Sequence, residues 1–297
     1  MDTIIYIFVA LFIAWIWVDY FRLIDVFEKE SLLRVAVIFL LGAVSVLPVL
    51  GLHMLIQNPF GIEMNGEFVN DYLYCIFDTG LVEESSKALL FGVAFLCFRK
   101  HINEPVDFVA AMSVCALGFA AAENVMYFSR YGAHLISSRA VLSTLGHMMF
   151  TSILAYAIIL IKFRGRKPGI LIFAVCLLIS AAFHGTYNFW LMYEVPGNFG
   201  WITTILIFLL GISVFATILN NALNISPFFT YKHVIHSFLV VKRLFIYYFA
   251  LFLVQCTLYF WRTDLKHTAQ LVLQNAYVVL PVVLISIVRL SRFKLIR

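Results

Sequence analysis

Predominantly apolar runs of 18 or more residues recur along this chain, and nothing else in the sequence limits its fold so strongly. A helix of that length spans the roughly 30 Å hydrocarbon core of a bilayer. The lipid bilayer is therefore the solvent for most of the chain, and the fold class is all-α, a polytopic transmembrane helix bundle. Composition agrees, since 63% of residues are hydrophobic and 12% charged, where a soluble domain carries roughly 25% charged residues. Soluble enzymes, disordered chains and fibrous proteins are excluded. The formal charge of +5 belongs to cytoplasmic loops and argues for no nucleic-acid partner.

Apolar runs bounded by charge predict nine spans, near residues 3–18, 33–56, 72–98, 108–128, 139–161, 169–193, 201–219, 244–260 and 271–290. The first has Asp2 as its only early charge and no A-x-A site behind it, so it reads as a retained anchor. Of the 21 Lys and Arg, sixteen fall in one set of alternate loops, while only Arg130, Arg139, Arg262 and Lys266 fall in the other and Lys87 lies inside a span. The positive-inside rule then puts the N-terminus outside and the C-terminus in the cytoplasm. The five cysteines lack CxxC spacing and sit in apolar segments, as packing residues. Residues 220–243, with Phe228, Phe229, Tyr231, Lys232, Lys242 and Arg243, read as a loop at the cytoplasmic interface.

Ionisable side chains within spans are costly and mark function. Glu83, Glu84, Lys87 and Glu123 are embedded in this way, joined by His147 and His184, whereas His53 reads as a packing residue. Counted along their spans, Glu83, Glu123, His147 and His184 lie roughly 8 to 17 Å below the outer boundary. Lys87 is i+4 from Glu83 and i+3 from Glu84, a neighbour of both. Asn124 follows Glu123, the fifth span carries a polar stripe of Ser143, Thr144, His147 and Thr151, and Asn188 is i+4 from His184. Each element alone is an ordinary structural ion pair or interhelical hydrogen bond. Three carboxylates, one Lys, two His and an Asn at compatible depths point to a functional site.

The same residues resemble a known family. Glu83-Glu84-Ser85-Ser86-Lys87 is similar to the EExxK motif, Phe119-Ala120-Ala121-Ala122-Glu123-Asn124 to the FAxxEN motif, and His147 and the His184-to-Asn188 HxxxN pattern follow in the order found in PrsW intramembrane proteases. The resemblance extends to Phe27-Glu28-Lys29-Glu30 and Glu104-Pro105-Val106-Asp107, and departs at Ser31 and Phe108, where Pro and Gly are expected. It covers residues 19–193, so residues 1–193 read as a six-span protease core and 194–297 as a C-terminal extension of about three spans without a motif. The resemblance implies a membrane-embedded endopeptidase of the bacterial cytoplasmic membrane, related to the CAAX prenyl proteases. Its implied substrates are single-span proteins of the anti-sigma-factor kind, cut near the extracytoplasmic side.

Peptide hydrolysis needs an activated water, an oxyanion donor and a proton for the leaving amine. One arrangement needs no cofactor: Glu83 or Glu84 is the base, Lys87 restrains its charge, His184 and Asn188 donate to the oxyanion, and Glu123 and His147 orient water or move protons, with Asn124 beside Glu123 in the site. The other holds Zn2+ on His147, His184 and Glu123 with a fourth position open. The CAAX-type resemblance favours the first. A proton-coupled transporter or a non-catalytic scaffold would also carry intramembrane charges, but the paired repeats usual in transporters are missing from the sequence.

Overall fold

The computed structural model describes residues 2–27, 29–57, 63–193, 199–230 and 235–294. Glu28 of the acidic-basic segment, Tyr231 and Lys232 of the expected interface loop, and Arg297 lie outside the described residues. No strand occurs among those described. The helices are α1 (Asp2–Ile24), α2 (Leu32–Val44), α3 (Val46–Leu52), α4 (Phe68–Leu73), α5 (Val82–Phe98), α6 (Pro105–Tyr131), α7 (Thr144–Lys162), α8 (Gly169–Met192), α9 (Phe199–Ile225), α10 (Ser237–Arg262) and α11 (Leu265–Leu290). Short helical turns over residues 133–143 lead into α7, and π-helical stretches cover His53–Gln57 and Tyr74–Leu81.

Among the described residues, eight helical stretches are long and apolar enough to cross a membrane. The remaining expected span, 72–98, is present as α4, the Tyr74–Leu81 π segment and α5 in continuous succession. Asp71, Asp78, Glu83, Glu84 and Lys87 give it too much charge to pass as an apolar helix. Most observed helices extend past their expected ends. The largest difference is at 220–243, where α9 runs on to Ile225 and α10 begins at Ser237, so Lys242 and Arg243 are helical and not in a loop. The extra turns follow from the partner of Arg243: its guanidinium binds both oxygens of buried Asp19 at 2.8 Å, and Tyr247 donates to the same carboxylate at 3.0 Å. Basic residues that satisfy a buried acid need not lie in a loop.

The chain divides into two compact units. The first comprises residues 1–29, 120–145 and 230–294, that is α1, the second half of α6, the turns before α7, α10 and α11. Polar contacts tie it together. Gln255, fully buried, donates to the carbonyls of Ala133 and His134 at 3.1 and 2.8 Å and pairs with Ser137 and Asn275. Tyr20 donates to the Leu290 carbonyl at 3.0 Å. In hydrocarbon such bonds have no competing water, which suits them to hold helices whose outer faces are all apolar.

The second unit comprises residues 30–119 and 146–229 and holds α2 to α5, the first half of α6, α7 from Gly146 onward, α8 and α9. Ser31 caps α2 by accepting the Arg34 N–H at 3.4 Å, and Phe108 packs among Phe91, Phe95 and Phe163, so both departures from the family pattern have local structural roles. Glycines bring backbones together. Gly42 lies against the Cys115 carbonyl and Gly118 against that of Phe39, while Gly80 and Gly185 bring the π segment onto α8. Leu33, Leu47, Ile170 and Leu206 project outward, as lipid-facing residues must.

Candidate active site

The π segment ends at Leu81, two residues before Glu83, and π-helical turns frequently accompany functional sites. From the first two turns of α5, Glu83, Glu84 and Lys87 face His147 on α7 and His184 on α8, and all five are buried. The adjacent glutamates differ sharply. Glu84 is fully buried and accepts from Lys87 at 2.8 Å, from Thr151 at 2.7 Å and from His184 Nδ1 at 3.0 Å, with the Ser180 hydroxyl 3.3 Å away. Glu83 is the more open, its side chain 10% exposed, with its Oε2 at 3.4 Å from Lys87 Nζ, 3.7 Å from His184 Nε2 and 3.9 Å from His147 Nδ1.

Lys87 carries donors only. Its Nζ lies 2.9 Å from His147 Nδ1, which therefore accepts, leaving the imidazole proton of a neutral His147 on Nε2. Glu84 accepts from His184 Nδ1, so the Nε2 lone pair of a neutral His184 faces Glu83. The two imidazoles thus hold opposite tautomers 5.1 Å apart between ring centroids, one a donor and one an acceptor. Phe119 closes one wall, with Lys87 over its ring at 4.3 Å, and Phe150 stacks on His184 at 5.1 Å.

Glu83, Glu84, Lys87, His147 and His184, all singled out from sequence, converge in the second unit. Asn188 lies one turn beyond His184 and is half-buried. Glu123 and Asn124 belong to the first unit, where Arg139 donates to Glu123 at 2.7 Å and to Asn124 at 2.7 Å while stacking 3.7 Å over Tyr127. Asn124 in turn donates to Thr144 at 3.0 Å. Arg139, expected as an outer-loop charge, is instead the partner of this motif. Ser180 and Phe150 were not anticipated, although Ser180 lies at i−4 from His184 on its helical face and so carried a signal. His53, expected to be a packing residue, pairs with Asp78 at 3.4 Å.

Ligand atoms of Glu83, His147 and His184 all lie within 4.8 Å of one another, so these three can hold a metal, with Glu83 in the place expected of Glu123. Two imidazoles, a carboxylate and an open fourth position suit zinc, and Glu84 behind His184 supplies the outer hydrogen bond such ligands favour. Lys87 opposes this, because His147 can ligate only after the ammonium leaves its Nδ1 or loses a proton.

Residues 30–241 match the family model described as "PrsW family intramembrane metalloprotease". The chain is 32% identical over 204 residues to Protease PrsW of Clostridioides difficile, an alignment covering 65% of this chain and 81% of that protein. It is 25% identical over 185 residues to Protease PrsW of Bacillus subtilis, covering 60% and 82%, and 30% identical over 175 residues to that of Geobacillus kaustophilus, covering 59% and 73%. No solved structure matches. The buried Glu-Glu-Lys-His-His cluster thus sits within the segment that carries the likeness, and the chain belongs to the PrsW family of intramembrane proteases.

Proposed function

We propose that the protein hydrolyses a peptide bond of a single-span membrane protein near its extracytoplasmic side, with Glu83 as the base that activates water. One observation carries this reading: of two adjacent glutamates, one is wholly engaged by Lys87, His184 and Thr151 and the other faces both histidines with some exposure. Glu84 is an anchor that sets the positions of Lys87 and His184. Glu83 takes the water proton and His184 Nε2, 3.7 Å away, receives it on the path to the leaving amine. The His147 Nε2–H and the Asn188 amide serve as oxyanion donors.

Where zinc is held by Glu83, His147 and His184, it supplies a water of lowered pKa and polarises the scissile carbonyl. The Lys87–His147 contact favours the metal-free form. We expect elemental analysis to find no stoichiometric zinc in active protein, and chelators to leave activity intact. One zinc per active chain, lost together with activity in His184→Ala, would replace this reading with the metal one.

The bacterial relatives support a location in a bacterial cytoplasmic membrane, and the family resemblance supports substrates of the anti-sigma-factor kind. The asymmetry of basic residues supports an outside N-terminus and a cytoplasmic C-terminus. A reporter fused after Arg297 should be read in the cytoplasm and one near Glu63 outside. Reversed labelling puts the cluster in the inner half and moves the cut to the cytoplasmic side. Incubating purified protein in nanodiscs with a single-span substrate tests the activity itself. Cleavage lost in Glu83→Gln is expected, and ion-coupled flux without cleavage would make the protein a transporter.

A further inference from the structure

The unit that carries the cluster also holds a groove of about 500 Å³ between α7, α8 and α9, with Ile153, Tyr156, Ile179, Phe183, Thr217 and Asn221 among its walls. Ile179 and Thr217 are exposed, so it opens on the flank of the helices, where hydrocarbon lies. Along α9, Ser213, Thr217 and Asn221 recur every four residues as one polar edge. The Ser213 and Thr217 hydroxyls donate back to the Leu209 and Ser213 carbonyls at 2.9 and 2.8 Å, which leaves a smooth, small-residue surface facing apolar walls. Transmembrane helices pack closely on such surfaces.

The position of the groove gives it a meaning. Two rings separate it from the catalytic cluster: Phe183 directly precedes His184, and Phe150 touches both, with centroids 6.2 Å from Phe183 and 5.1 Å from His184. Leu160, at its far end, follows His147 by thirteen residues on α7, about 20 Å along the helix axis. The groove therefore starts beside His184, at Phe183 on α8, and about 9 Å past His147 on α7, and runs toward the basic end marked by Lys162. A substrate cut at the level of the histidines would keep its remaining apolar helix along this path. Its backbone must stay helical in lipid until it reaches polar partners, and the Glu83–His184 cluster is where those partners begin.

Resting on the protease reading above, we propose that this groove receives the transmembrane helix of the substrate, with the unwound scissile segment passing Phe150 and Phe183 to reach Glu83. The substrate class is thereby a single apolar helix with small residues on the face toward α9.

The test uses the full chain in nanodiscs with a single-span substrate. In the Glu83→Gln form, a photo-crosslinking residue replacing Thr217 should capture the substrate, and one replacing exposed Leu206 on α9 should not. In the otherwise native enzyme, Thr217→Trp should raise KM for the anchored substrate at least tenfold with kcat retained, while cleavage of a short soluble peptide carrying the same scissile bond stays unchanged and reports an intact site. Equal capture from both positions, or an unchanged KM in Thr217→Trp, overturns the groove while leaving the protease reading in place. Selective capture at position 217, together with a wild-type chain that cuts neither substrate, sustains the groove and overturns the protease reading.

Discussion

Glu83→Gln should abolish cleavage and leave the bundle folded, whereas Glu84→Gln should unfold it at lower temperature as well as impair it. A general base contributes typically about 10² to 10⁴-fold, and that is the loss expected in kcat for Glu83→Gln. The amide fits the same space, and Lys87 keeps its 2.8 Å bond to Glu84, so the cluster stays paired. In Glu84→Gln the fully buried Lys87 loses its shorter ion pair and His184 loses the carboxylate that orients its Nδ1. Removing one partner of a buried pair costs up to about 3 to 5 kcal/mol, and of its two glutamate contacts Lys87 would keep only the longer, 3.4 Å one with Glu83. Thermal unfolding and kcat measured together on both variants separate the roles. An active Glu83→Gln enzyme would remove Glu83 as the base, and a Glu84→Gln enzyme as stable as the parent would remove Glu84 as the anchor.

From sequence the two glutamates were equivalent, since both neighbour Lys87 on a helix surface and spacing says nothing about what α7 and α8 bring to meet them. Local periodicity did reveal that Glu83, Glu84 and Lys87 share a face, and span direction put His147 and His184 at the same depth. It could not supply Thr151 and Ser180 as specific partners of Glu84, because those contacts depend on how helices rotate about their axes. The spans were legible for the same reason that their ends were not. Hydrocarbon thickness fixes the number of apolar residues, but a charged residue ends a helix only if no buried partner holds it. Arg243 on Asp19 and Arg139 on Glu123 are held in this way, so α10 begins before Arg243 and the helical turns before α7 include Arg139. The segment 72–98 was recognised by its length, and its π segment was invisible because no composition encodes a shift from i→i+4 to i→i+5 bonding.

That π segment leads to the second large effect expected, from a single methyl group. An added Cβ at Gly185 would stand 2.5 Å from the Cys75 carbonyl oxygen and 2.6 Å from the Ile76 nitrogen, and also against the Ile76 Cα. At Gly80 it would meet the Ala181 carbonyl oxygen and lie 3.1 Å from the Gly185 nitrogen. These neighbours are backbone, so the clash cannot be relieved by a rotamer change and the two helical segments must separate. Gly185 adjoins His184, and Gly80 precedes Glu83 by three residues, so separation acts directly on the 3.0 Å Glu84–His184 bond and the 3.7 Å Glu83–His184 approach. Overpacking of this kind costs about 1 to 3 kcal/mol in stability, while a displacement of about 1 Å in a catalytic constellation can cost about 10²-fold in rate. Gly185→Ala should therefore lower kcat by about 10²-fold in protein that still folds. Gly92→Ala, on α5 with nothing within 4 Å of the added carbon, should keep full activity and gain helix stability of up to about 1 kcal/mol. Gly185→Ala enzyme with native kcat would mean that close backbone contact between the π segment and α8 does not set the geometry of the cluster.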